Sequence, residues 1–256
     1  MNRPDSGAVV AMVGLTAISI GATALLTRYL RPSMGTWLVL SGVVAVALGV
    51  VLATIAWLAT RRRAGEPPLV ATDHGSSRVG WLLLLPILVA VIIDPGALGS
   101  YAVGQQAAYR APAISHIDVE AMLRSRSFGG QAAEVSLLEL WQAVEQGASS
   151  DSLAGTPLSL DGFMIHDENI GQGFVLARLV VGCCAGDALP VAVMVRGDPQ
   201  AEIPDDTWVR VQVRFDPEAT QAARDEPGEW ALVAAVVDLV ELEVIDPPDE
   251  PYLYPY

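Results

Sequence analysis

The residues of this chain whose types and spacing suit chemistry lie between Gly173 and Pro190, GFVLARLVVGCCAGDALP. Both cysteines of the chain are here, adjacent at Cys183 and Cys184, with Asp187 three positions on. Neighbouring residues on a regular strand point to opposite faces. Both thiols therefore reach one ion only if the strand breaks, and Gly182 and Gly186 permit such a break. Three readings stay open. In the first, the cysteines are small buried residues at a strand end, where free cysteine packs as a hydrophobe. In the second, thiolates from Cys183 and Cys184, helped by Asp187 and His166, hold a divalent metal such as zinc or another soft ligand. In the third they form a vicinal disulfide or redox pair; adjacent α-carbons sit only about 3.8 Å apart, so that bond is strained and easily reduced. Arg178 alternates with Phe174, Leu176 and Val180. On a core face its charge needs a partner, and Asp161 is the acid expected to supply it, with Asp187 the other choice. No nucleophile elbow, H-E-x-x-H or phosphate-binding glycine loop occurs, so hydrolase or transferase chemistry is not expected and the chain reads as a non-enzyme.

The elements around these residues change character along the chain. After residue 150 the pattern has period two, with strands expected near 157–166, 173–184, 190–196, 207–215 and 230–245. In the fourth, Trp208, Arg210, Gln212 and Arg214 alternate with Val209, Val211, Val213 and Phe215. Five or six short strands in roughly 100 residues predict a small, mainly-β domain over 151–256, an OB-like barrel, with a sandwich as the alternative. Upstream, residues 96–150 read as a linker and a bridging helix. Ser136 and Glu139 make a capping box. Leu137, Leu140, Trp141 and Val144 form one apolar face, and Gly147 ends the helix. This helix is expected to pack on the β-domain. The tail, Pro247 to Tyr256, has four prolines and three tyrosines and is expected to lie as an extended strap.

Residues 1–95 predict a membrane α-helical anchor of three transmembrane helices, at about 6–27, 35–60 and 79–95. The first rests on 22 uncharged positions from Ser6 to Thr27, the second on the uncharged run Pro32–Thr60. The third, Val79–Ile93, has 15 residues, with Trp81 and Pro86 in it. The first two carry no charge, which excludes a self-sufficient ion path and favours an anchor or subunit. Ser41, Ala45 and Gly49 have the spacing that lets helices approach closely. Arginines at positions 3, 61, 62, 63 and 78 place the N-terminus and the second loop in the cytoplasm, and three crossings then put the β-domain outside. Residues 1–110 carry eight arginines and four acids, 8 − 4 = +4; residues 111–256 carry seven arginines and 25 acids, 7 − 25 = −18. So acidic a domain does not seek nucleic acid.

The sequence resembles the YcgQ-like family of bacterial membrane proteins, described as permease subunits. The resemblance is carried by Leu160-Asp161-Gly162-Phe163, Phe174 to Arg178, the CC-x-x-D-A element at Cys183 to Ala188 with Pro190, Trp208-Val209-x-Val211 and Pro251-Tyr252, and in the anchor by Trp81, Pro86 and Leu98-Gly99. Family members carry a histidine-rich second loop; here it is reduced to Asp73-His74-Gly75, a departure that removes the basis for metal binding in that loop. What the resemblance implies is a multi-span permease partner in the plasma membrane and a transport role, with a metal ion as the plausible cargo. The expected function is an accessory subunit of a two-component permease whose extracytoplasmic domain binds or hands over a solute. The alternatives are a membrane-anchored thiol-redox protein and a purely structural subunit.

Overall fold

The computed structural model describes residues 3–23, 26–63, 85, 96–105, 118–127, 131–147, 153–154, 156–167, 170, 172–199, 202–225 and 233–255. It divides into two compact units, Met1–Gly96 and Ala97–Tyr256.

The first unit is built on two helices, α1 (Arg3–Gly21) and α2 (Gly35–Arg63), joined by helical turns at Leu26–Tyr29 and Pro32–Met34. They pack through glycines. Gly7, Gly14 and Gly21 on α1 recur every seven residues and meet Gly49, Gly42 and Gly35 on α2, in antiparallel register. A methyl group at Gly7 would lie 2.6 Å from the Gly49 carbonyl oxygen, and one at Gly14 2.6 Å from that of Gly42. Only a hydrogen leaves room for backbones this close. The seam thus uses the heptad 35–42–49, which corrects the spacing Ser41–Ala45–Gly49: Ser41 is exposed and its hydroxyl donates to the Leu38 carbonyl at 2.9 Å.

Among the described residues one helix is long and apolar enough to cross a membrane, Pro32–Ala59, with mean hydropathy 2.7; only 11% of its most apolar window is buried, unlike the core helix of a globular domain. The apolar part of α1 is shorter, Gly7–Gly21. The third expected span, 79–95, lies outside the described residues apart from Leu85, as does the second loop beyond Arg63, whose first three arginines end α2.

In the second unit a six-stranded sheet holds β1 (Ala133–Glu134), β2 (Leu158–Ile165), β3 (Gly173–Val180), β4 (Leu189–Arg196), β5 (Trp208–Phe215) and β6 (Val233–Val244). The order is β1-β2-β3-β4-β6-β5, and β2 also pairs with β5. The last five strands therefore close into a small barrel, consistent with the OB-like expectation; closure sets the sandwich aside. β1 is a short parallel addition to β2. Gly162 marks where β2 turns from one neighbour to the other: β2 pairs with β5 over Leu158–Phe163 and with β3 over Phe163–Ile165. A side chain at Gly162 would meet the Ala177 carbonyl oxygen at 2.8 Å, so glycine lets the strand bend against β3.

Among the described residues, helices α3 (Ser100–Gln105), α4 (Val119–Arg126), α5 (Leu137–Glu145) and α6 (Pro217–Asp225) accompany the sheet. Both halves of the Ser136–Glu139 capping box are formed, and α5 buries Leu137, Leu138, Leu140 and Trp141 in a cluster with Leu160, Phe174, Leu176 and Val211. A second cluster holds Phe163, Val175, Leu179, Trp208 and Tyr252, plugged by Val103 from α3. Burial on both faces explains why β3 reads as a nearly unbroken apolar run. The tail is a strap: the amide of Leu253 donates to the Leu179 carbonyl and its own carbonyl accepts from Val181, both at 2.8 Å. α6 was not expected. Its signal is Asp216 followed by Pro217, and the Asp216 carboxylate does accept the Ala219 amide at 2.9 Å.

Candidate functional site

β3 stops at Val180, short of residue 184, because the next backbone groups turn into a loop. Ala185–Asp187 form one 3₁₀ turn before β4 begins at Leu189. This break frees both cysteines from strand alternation. The carboxylate of Asp187 faces back across the turn and accepts the amides of Cys183 at 2.8 Å, Gly182 at 3.0 Å and Cys184 at 3.4 Å. One ligand atom from each of Cys183, Cys184 and Asp187 lies within 4.8 Å of the others. Cys183 is exposed and Cys184 half-buried, and both are free thiols.

The electrostatics follow from that crowding. The Cys183 thiol donates to Asp187 and lies against Cys184, and these contacts, the carboxylate first, push its pKa up to about 11. Deprotonation would set two negative charges side by side. Desolvation works to raise Asp187, but the hydrogen bonds from the Cys183 thiol and the turn amides outweigh it and hold the carboxyl below its usual range. The turn thus presents two thiols and a carboxylate on an exposed rim, a mixed soft and hard donor set of the kind divalent metals accept.

His166 is not part of this set. It follows β2, where its amide and its Nδ1 both meet Asp205 Oδ1, at 2.8 and 2.7 Å. The predicted ligand role for His166 is therefore replaced by a pairing with a loop acid 39 residues away, which no local spacing announces.

The expected Arg178–Asp161 ion pair is also corrected. Asp161 sits directly opposite Arg210 in the β2–β5 register, and its carboxylate takes Arg210 bidentately at 2.9 and 2.9 Å. Arg178 turns instead to the tail: Nη2 donates to the Glu250 carbonyl at 2.7 Å and Nε to that of Pro251 at 3.2 Å, with the guanidinium carbon 5.3 Å from the Trp208 ring centroid. Burial lowers its pKa, opposed first by the field of Asp161.

Comparison with known families places this geometry in context. A model described as the DUF1980 C-terminal domain matches residues 112–255, in keeping with the resemblance drawn from the sequence. No curated protein and no solved structure matches the chain.

Proposed function

We propose a transport function from the premise that the chain belongs to the DUF1980 C-terminal-domain family: it is an accessory subunit of a two-component membrane permease, and its β-domain binds or hands over a divalent cation such as zinc. The observation that carries this reading is the convergence of Cys183, Cys184 and Asp187 on one exposed turn, ligand atoms within 4.8 Å. A cation bound there displaces the thiol proton, so affinity rises with pH, and a thiol with a pKa near 11 gives the site up readily under acid. Ready release suits a domain that passes its cargo on. The permease partner is a multi-span protein of the plasma membrane. In this reading the N-terminus is cytoplasmic and, with the expected span at 79–95, the β-domain is extracytoplasmic. The surface of α2 supports the membrane setting. Trp37 and Trp57 are 68% and 51% exposed and stand 20 residues apart, about 30 Å of helix, the thickness of a hydrocarbon core with its aromatic belts.

A structural role for the turn is the second reading, favoured by the three amides that Asp187 ties down without any metal. The thiol-redox alternative ranks below both. A redox-active cysteine needs a depressed pKa, whereas Cys183 is raised.

The test is elemental mass spectrometry of the detergent-purified full chain after zinc loading and desalting, beside the double variant Cys183→Ser/Cys184→Ser. The transport reading expects about one metal per chain, lost in the variant. No metal on the parent protein overturns cation handling and leaves the structural role. Co-purification with its permease, unaffected by the variant, would then identify that role.

A further inference from the structure

A roomy cleft lies apart from the cysteine turn. It opens where β2 parts from β3, occupies about 690 Å³, and is walled by Arg126, Arg178, Arg210, Glu134, Asp161 and Ser159. Three of the seven arginines in a segment carrying −18 line this one cleft. Its lining balance is 3 − 2 = +1. Three smaller clefts among the described residues are neutral or negative: Glu120 with Arg124, Glu145 with Arg224, and Asp206 alone.

The arginines are held in place. Arg126 grips Glu139 at 2.8 and 2.9 Å and the Glu134 carbonyl at 2.9 Å; Arg210 grips Asp161. Arg178 differs from both. Its hydrogen bonds go to two neutral carbonyls of the tail, and among the described residues no carboxylate is hydrogen-bonded to it, Asp161 acting on it only through its field. Two of the five N–H donors of a guanidinium suffice for those bonds. A half-buried cation with a fixed plane, spare donors and no bonded counter-ion beside a roomy polar cleft is a preorganised receptor for an oxyanion.

We infer that this cleft binds a small solute through an oxyanion, carboxylate or phosphate, with Arg178 as the anchoring residue and Arg210 and Arg126 as flanking positive charge. The volume is that of a site for a small molecule, within the roughly 300–1,000 Å³ typical of such sites. The polar lining selects a charged solute over an apolar one. The inference does not rest on the cation reading, and the two sites are tested separately.

Isothermal titration of the full chain in detergent with citrate and with inorganic phosphate, at matched ionic strength, tests it. The expected result is saturable binding of at least one of the two, one per chain; citrate alone marks an organic carboxylate, phosphate alone an inorganic or esterified one. Arg178→Gln should weaken it roughly tenfold or more, the loss of a charge-assisted hydrogen bond. Arg214→Gln, outside the cleft, should leave it unchanged. Because Arg178 also holds the tail, Ser159→Asp provides a second variant: it adds negative charge to the wall without touching the tail, and should weaken binding comparably. No saturable heat with either anion overturns the inference, and so does binding that neither Arg178→Gln nor Ser159→Asp reduces.

Discussion

The helical pair and the barrel achieve close packing by opposite means. α1 and α2 approach by leaving side chains out where the backbones cross: at Gly7–Gly49 and Gly14–Gly42 a glycine faces a backbone carbonyl, while Ile18, Val39 and Val46 pack against the glycines beside them. The barrel fills its interior with Leu158, Leu160, Phe174, Leu176 and Val213, each essentially inaccessible to solvent. In the one region added volume is the threat, in the other lost volume. The difference matches the surroundings proposed for each. A helix pair in lipid gains nothing from hiding apolar surface and must rely on contact, while a domain in water is held by burial.

The largest effect should come from breaking the barrel by deletion. Phe174→Ala, wholly buried, is expected to cost about 3–5 kcal/mol, seen as loss of the cooperative thermal transition of the second unit. The converse break is Gly14→Leu or Gly42→Leu, expected to cost about 1–3 kcal/mol by overpacking and to lower the melting temperature of the helical far-UV signal in detergent. Val44→Ala on the exposed face should stay within about 0.5 kcal/mol. If the glycine variants melt like the parent, the seam does not hold the pair together.

Smaller effects sharpen the comparison inside the β-domain. Ser136→Ala removes the α5 cap at about 1 kcal/mol. Its partner Glu139 is raised by burial but lowered more by Arg126 and Ser136, so its carboxyl ends below the ordinary 4.5. A depressed acid contributes stability that is present above the unfolded value and lost as pH falls through the folded one. Acid titration should therefore weaken the parent from about pH 4.5 downward, and Glu139→Gln should flatten that limb of the curve. The last change is read at the thiol rather than in stability: Asp187→Asn. The Cys183 thiol should then titrate nearer 9.0 than 11, and its iodoacetamide reaction should speed up at pH 8. An unchanged alkylation profile would mean that the carboxylate does not govern the thiol.

Much of the barrel was legible because alternation is a local signal. Strand positions such as 208–215 follow from Val209, Val211, Val213 and Phe215 alone, and the α5 cap from Ser136 and Glu139. Register was not. Alternation gives the face of Arg178 but not which strand lies beside Asp161, and the direct neighbour proved to be Arg210. The same holds for His166, whose partner Asp205 comes from a distant loop. The sequence has the two cysteines reaching one ion only if the strand breaks; β3 does end at Val180, and the turn shows Asp187 tying that break together. The glycine seam was written in the sequence as two heptads, 7–14–21 and 35–42–49. It stays hidden in an alanine- and glycine-rich background until the two helices are laid antiparallel.

The strand order also sets a timetable. β6 lies between β4 and β5 and runs parallel to β4. During synthesis, a chain that has reached Phe215 can form the β2–β3–β4 meander and lay β5 against β2, but a gap stays open between β4 and β5. The barrel shuts only when Val233–Val244 emerges, and the strap at Leu253 follows later still. Long-range closure of this kind is slow, and until it occurs two strand edges stand unpaired. The nascent domain thus depends on β6 for closure, and deleting residues 233–255 costs both that stave and the strap at Leu253.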